Sequence, residues 1–131
     1  RSAEYAIESL LSGTNPPDAI FTLKNSTTIY AFEALQKLNV PIPGRVALFG
    51  YDDFELASTV RPSISVVEQP IEEIARLAGE VLFDQLLNPN AQSNAGRSGK
   101  AEQIKLETRL VPRASCGCAS RLGETIRNTS V

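Results

Sequence analysis

Apolar positions along this chain switch between helical and strand spacing in a regular order. Ile7, Leu10 and Leu11 mark one face of a helix over residues 3–11, which Gly13 can stop. The breaker cluster Asn15-Pro16-Pro17-Asp18 gives way to a short apolar strand, AIFTL, at residues 19–23. Asn25 or Ser26 can cap the next helix, whose stripe runs through Ile29, Phe32, Leu35 and Leu38. Val40-Pro41-Ile42-Pro43-Gly44 ends that helix, and residues 46–49 form the second strand, completing a βαβ unit. The β-branched run at 64–67 predicts a third strand. Pro70 then opens a helix where its missing N–H costs nothing, with Glu72 and Glu73 well placed in the first turn. Its broad apolar face comprises Ile71, Ile74, Ala75, Ala78, Val81, Leu82 and Leu86. Residues 88–100 have almost nothing to bury and read as a mobile loop. Residues 103–111 alternate as a half-buried strand does, and the chain from Arg113 onward reads as a disordered tail. The fold class is therefore α/β, a parallel sheet flanked by helices.

Composition adds limits. The 131 residues suffice for one domain with a core, and a net charge of -2 supplies no electrostatic reason to expect nucleic-acid or membrane binding by this stretch. No apolar run reaches bilayer-spanning length and no signal-peptide pattern opens the chain. With no methionine anywhere, position 1 included, the sequence is expected to be a fragment or a processed chain. Cys116 and Cys118 are too close for an unstrained mutual disulfide. They read as two reduced thiols on a mobile tail, which favours a cytoplasmic origin. With no histidine, a zinc site would need carboxylates, and no metal or cofactor is expected.

The stretch VALFGYDD at 46–53 concentrates the candidate chemistry. An apolar strand that ends in a glycine and two carboxylates delivers acid groups to the rim where ligands of open α/β sheets bind. Asp52 and Asp53 suit a sugar diol, or they satisfy backbone donors of the following turn; consecutive residues diverge, so one is expected in a pocket and the other structural. Lys24 and Asn25 end the neighbouring strand and would share that rim, although Asn25 serves equally as a helix cap. A helix starting at Ser26 aims its positive end there, favouring a polar or anionic ligand. No catalytic residue is nominated: the chain lacks a histidine base, a Gly-x-Ser-x-Gly elbow and the nucleotide-binding glycine patterns.

Four stretches in order, AIFTLKNSTTIYAFEALQKL, VPIPGRVALFGYDD, RPSISVVEQPIEEIARLAGEVLFDQL and LETRLVPRAS, resemble the LacI/GalR family of bacterial transcription regulators across residues 18–115. The resemblance implies the C-terminal lobe of a two-lobed effector domain of the type I periplasmic-binding-protein (LacI-like) fold, truncated. Residues 1–112 would be a partial effector-binding domain, and helix 71–86 would belong to the other, N-terminal lobe. Without that lobe its apolar stripe would be uncovered and prone to self-association. The resemblance also implies a ligand contact at Asp52, with Lys24, Asn25, Gln69 and Ile71 around the effector. A lysine where the family commonly has an amide points to a phosphorylated or acidic sugar. Tyr30, Phe32, Phe54 and Leu56 become candidate residues of a homodimer interface, although core is the default for Phe32. Operator DNA would be reached only through a helix-turn-helix outside this sequence. A periplasmic-type sugar-binding transport protein is the alternative with the same architecture, and a non-enzymatic role is implied by either.

Overall fold

In a computed structural model of the chain, residues 3–87 and 103–118 are described. They divide into two compact units, one built from the chain up to Glu68 and again from Arg109, the other from Gln69–Thr108.

The first unit is a four-stranded sheet in the order β1-β2-β3-β4, formed by β1 (Ala19–Thr22), β2 (Ala47–Tyr51), β3 (Ser65–Glu68) and β4 (Arg109–Val111). The first three strands are parallel and β4 returns antiparallel to β3. Helices α1 (Ala3–Leu11) and α2 (Asn25–Lys37) pack with it. One core cluster joins Ile7 of α1, Ala31, Ala34 and Leu35 of α2, and Leu48 of β2; a second joins Ala57, Ile64 and Val66. Phe32, half-buried, packs against both clusters. The buried face of α2 is Thr28, Ala31, Ala34 and Leu35. Small residues on that face let the helix approach the sheet, while Ile29, Phe32 and Leu38 of the predicted stripe lie half-buried at its margins.

Two expectations need correcting here. Neither Asn25 nor Ser26 caps α2: the cap position is Lys24, in extended backbone, and it makes no side-chain cap bond. Of the alternating run 103–111, only Arg109–Val111 is a strand, because only those residues have a β3 partner. Alternation marks a chain that can half-bury, but a strand forms only where a ladder accepts it.

The predicted tail departs more sharply. Residues 113–118 are packed: Ala114–Cys116 form a 3₁₀ turn and Ser115 is fully buried. Ser115 Oγ donates to the Leu48 carbonyl at 2.6 Å and accepts the Ser65 amide at 2.8 Å, binding the turn to β2 and β3 at once. The Ser115 amide donates to the Ser63 carbonyl, and the Arg113 amide donates to Ser65 Oγ. The rest of the predicted tail, and the predicted loop 88–100, lie outside the described residues.

The second unit is built on α3 (Ile71–Leu87), a helix with no buried residue. Ile104 and Leu106 of the returning segment line, with Ile74, Ala78, Val81 and Leu82, an apolar groove of about 400 Å³. Of the predicted stripe, Ile71, Val81, Leu82 and Leu86 are exposed, as are Phe83 and Leu87. Among the described residues, no helix is long and apolar enough to cross a membrane.

Candidate functional site

The parallel register fixes what the sheet presents at its rim. Thr22 pairs with Gly50, and two residues further along the chain from each stand Lys24 and Asp52, just past the ends of β1 and β2. The ladder to β3 also extends past β2, since the Asp52 amide donates to the Val67 carbonyl at 2.9 Å. Lys24, Asn25 and Asp52 thus leave adjacent parallel strands at the same edge.

A buried polar knot holds that edge. Thr22 Oγ1 and Thr28 Oγ1 share a hydrogen bond of 2.7 Å, and Thr28 Oγ1 donates to the Lys24 carbonyl at 3.0 Å. The knot ties the end of β1 to the first turn of α2. Gly50 makes room for it: a Cβ there would stand 2.7 Å from Thr28 Oγ1 and 2.8 Å from its Cγ2. Glycine at this position therefore serves close packing of helix on strand. No acidic residue occupies the first turn of α2. Asn25 Oδ1 accepts the Ser26 amide at 2.6 Å, and the Lys24 side chain is exposed.

The two aspartates differ in conformation and in partners. Asp52 has φ 71°, a left-handed conformation that asparagine and aspartate tolerate better than other side-chain-bearing residues. Asp53 turns inward. It receives Arg113 through both oxygens, at 3.0 Å and 2.6 Å, and its Oδ1 also accepts the Phe54 amide at 2.9 Å. Arg113 in turn donates to the Ile64 carbonyl at 2.8 Å. The Arg113 hydrogen bond holds the Asp53 carboxyl below its ordinary value against desolvation by burial, helped by the Phe54 amide and the charges of Arg113 and Arg109. The same pairing pushes the Arg113 guanidinium up. Asp53 is thus the brace of the corner, and Arg113 is a residue that sequence reasoning missed. No periodicity marks it, and its partner lies sixty positions earlier in the chain.

This pairing carries a pH signature. The folded value of Asp53 is depressed, so its contribution is complete above the unfolded carboxyl value near 3.8 and is lost as the pH falls through the lower, folded value. Asp53→Asn should cost about 1.5–3 kcal/mol at neutral pH, as a charge-assisted bidentate pair is lost. In urea unfolding, the gap between variant and parent should close in the acid limb; a gap independent of pH would show that the ionised pair is not its source.

The remaining candidates are distributed as follows. Gln69 and Ile71 belong to the second unit; Gln69 is half-buried, its carbonyl accepts the Ile71 amide at 2.9 Å, and Ile71 is exposed. Tyr30 and Leu56 are each 58% exposed, whereas Phe54 packs against the second core cluster. Among the described residues there is no group of three or more His, Cys, Asp or Glu side chains able to hold a metal ion.

Comparison with known proteins places this geometry. The periplasmic binding protein-like domain family matches residues 1–116. The ribose operon repressor of Haemophilus influenzae is 37% identical over 84 residues, which is 64% of this chain and 25% of that protein. The HTH-type transcriptional regulator GalR of Streptococcus thermophilus is 37% identical over 78 residues, 60% of this chain and 24% of that protein. Among solved structures, a complex of the transcriptional regulator CelR with cellobiose superposes with a TM-score of 0.68 at 27% identity, covering 86% of this chain and 32% of that one. The chain spans about a quarter of the length of these curated relatives.

Proposed function

We propose, from the premise that this chain belongs to the periplasmic binding protein-like domain family in its LacI/GalR branch, that it is the effector-sensing part of a DNA-binding transcription regulator. The effector is a sugar or sugar phosphate. The observation that carries this reading is the shared rim, where parallel strands β1 and β2 bring Lys24, Asn25 and Asp52 to one edge while Asp53 is withdrawn into its pair with Arg113. Relatives named for ribose and bound to cellobiose support the sugar class.

The chemistry follows from the parts. A carboxylate at Asp52 accepts two hydroxyl hydrogen bonds, the pattern a vicinal diol offers. Lys24 and the N-terminal end of α2 add positive potential, which fits a phosphate or carboxylate on the effector. Gln69 and Ile71, which follow β3 directly in the chain, are further candidate effector contacts in this reading. Tyr30 and Leu56, exposed on the first unit, are the residues that would meet a second copy in a homodimer, flanked by Phe32 and Phe54. The DNA is read by a segment outside this sequence.

Calorimetric titration of the full-length regulator with pentoses, hexoses and their phosphates tests the reading. Asp52→Asn is expected to weaken the best effector by about tenfold or more, since one charge-assisted hydrogen bond is worth about 1.5–3 kcal/mol. Lys24→Gln should reduce the preference for the phosphorylated form. Undiminished affinity in Asp52→Asn would remove that residue from the site, and tight binding of neutral sugars alone would overturn the anionic class.

A further inference from the structure

Cys116 and Cys118 have no part in the rim, yet they are held in a defined turn. Cys116 closes the 3₁₀ segment, and Gly117 follows at φ 68°, ψ 5°, a left-handed bend that costs glycine little. The bend folds Cys118 back over Cys116. The Cys118 amide donates to Cys116 Sγ at 3.3 Å, the Cys118 thiol donates to the Cys116 carbonyl at 3.7 Å, and the Cys116 thiol donates to the Arg113 carbonyl at 3.4 Å. Neither forms a disulfide and both are half-buried, so a small ion can reach them. The support beneath is rigid, because Ser115 is buried and bonded to both β2 and β3.

We propose that Cys116 and Cys118 form a two-sulfur chelate for a soft, thiophilic cation of low coordination number, with Cu(I) as its type. Three arguments lead there. A disulfide needs sulfurs roughly 2.05 Å apart with a dihedral near a right angle, which a single intervening residue strains. Two bonds of roughly 2.3 Å to a shared metal instead tolerate sulfurs up to about 4.6 Å apart. Thiolates select soft ions, and zinc is the poorer fit because its structural sites take four ligands while no larger ligand group exists among the described residues. Binding involves no redox step: each thiol releases its proton to solvent, two Cu–S bonds form, and the ion stays Cu(I).

The test is anaerobic titration of the reduced 131-residue chain with Cu(I) in competition with a chromophoric Cu(I) chelator. A single ion per chain is expected. Cys116→Ser and Cys118→Ser should each lower affinity by about 100-fold, the effect of replacing a chelate by one ligand. Zn(II) should compete poorly. Phenylarsine oxide, which needs two thiols on one arsenic, should block maleimide labelling of both cysteines at one equivalent. Cys118→Ser decides the matter if Cys116→Ser unfolds, and its urea midpoint should match that of the parent chain. Retained Cu(I) affinity in Cys118→Ser, one ion on each thiol, or Zn(II) binding as tight as Cu(I) would overturn the proposal.

Discussion

Ser115→Ala is expected to destabilise the fold by about 2–5 kcal/mol, although it removes one oxygen and creates hardly any cavity. The loss comes from what that oxygen serves. Ser115 Oγ satisfies the Leu48 carbonyl and the Ser65 amide, and Ser115 and Ser65 are both fully buried. Each buried group left unpaired costs about 1–3 kcal/mol, far more than the hydrogen bond's net contribution when made. Urea unfolding followed by circular dichroism measures the change. The exposed Ser58, which only back-bonds to Glu55 at 3.5 Å, should tolerate alanine within about 0.5 kcal/mol. A Ser115→Ala loss no larger than that of Ser58→Ala would mean the two buried groups find other partners.

Gly50→Ala is expected to cost about 1–3 kcal/mol or more, from overpacking rather than from a hole. The added Cβ would sit 2.7 Å from Thr28 Oγ1, a distance that forces a shift. Thr28 has little freedom to give way. It is fully buried, and its hydroxyl is engaged with Thr22 and with the Lys24 carbonyl. Under the function proposed above, the substitution should also weaken effector binding, since Thr28 Oγ1 is bonded to the Lys24 carbonyl. A double-mutant cycle with Thr28→Ala isolates the cause: the paired change should be less harmful than the sum of the single changes. Strict additivity would rule out the clash as the source.

These two sites show which parts of the molecule were readable from the chain. The helices over 3–11, 25–37 and 71–87 and the strands at 19–22, 47–51 and 65–68 follow local apolar spacing, so short windows of sequence carried their signal. The packed turn at 114–116 did not announce itself. Its residues are small and polar, and its order comes from partners such as Leu48 and Ser65, about fifty to seventy positions away in the chain. The same holds for the buried face of α2, where Thr28, Ala31 and Ala34 outrank the bulkier Ile29, because closeness to the sheet decided the orientation. At the acidic corner, the sequence led to an expectation of one structural aspartate and one in a pocket, and Asp53 takes the structural place. Which one turned inward depended on Arg113, a residue without any pattern of its own.

The return of β4 beside β3 has a consequence for how the chain is assembled. Glu68, the last residue of the first unit before the chain leaves it, is the cross-strand partner of Arg109, the first residue on re-entry, and their side chains form an ion pair. Departure and arrival are therefore neighbours on one ladder. Topologically, Gln69–Thr108 is an insertion into a β-hairpin, and the strand pairing that closes the first unit does not require it. Such a seam is where a segment can be lengthened, exchanged between homologues or replaced by a tight turn while the sheet keeps its register. Modularity of this kind would let the second unit diversify while the brace of Asp53, Arg113 and Ser115 stays as it is.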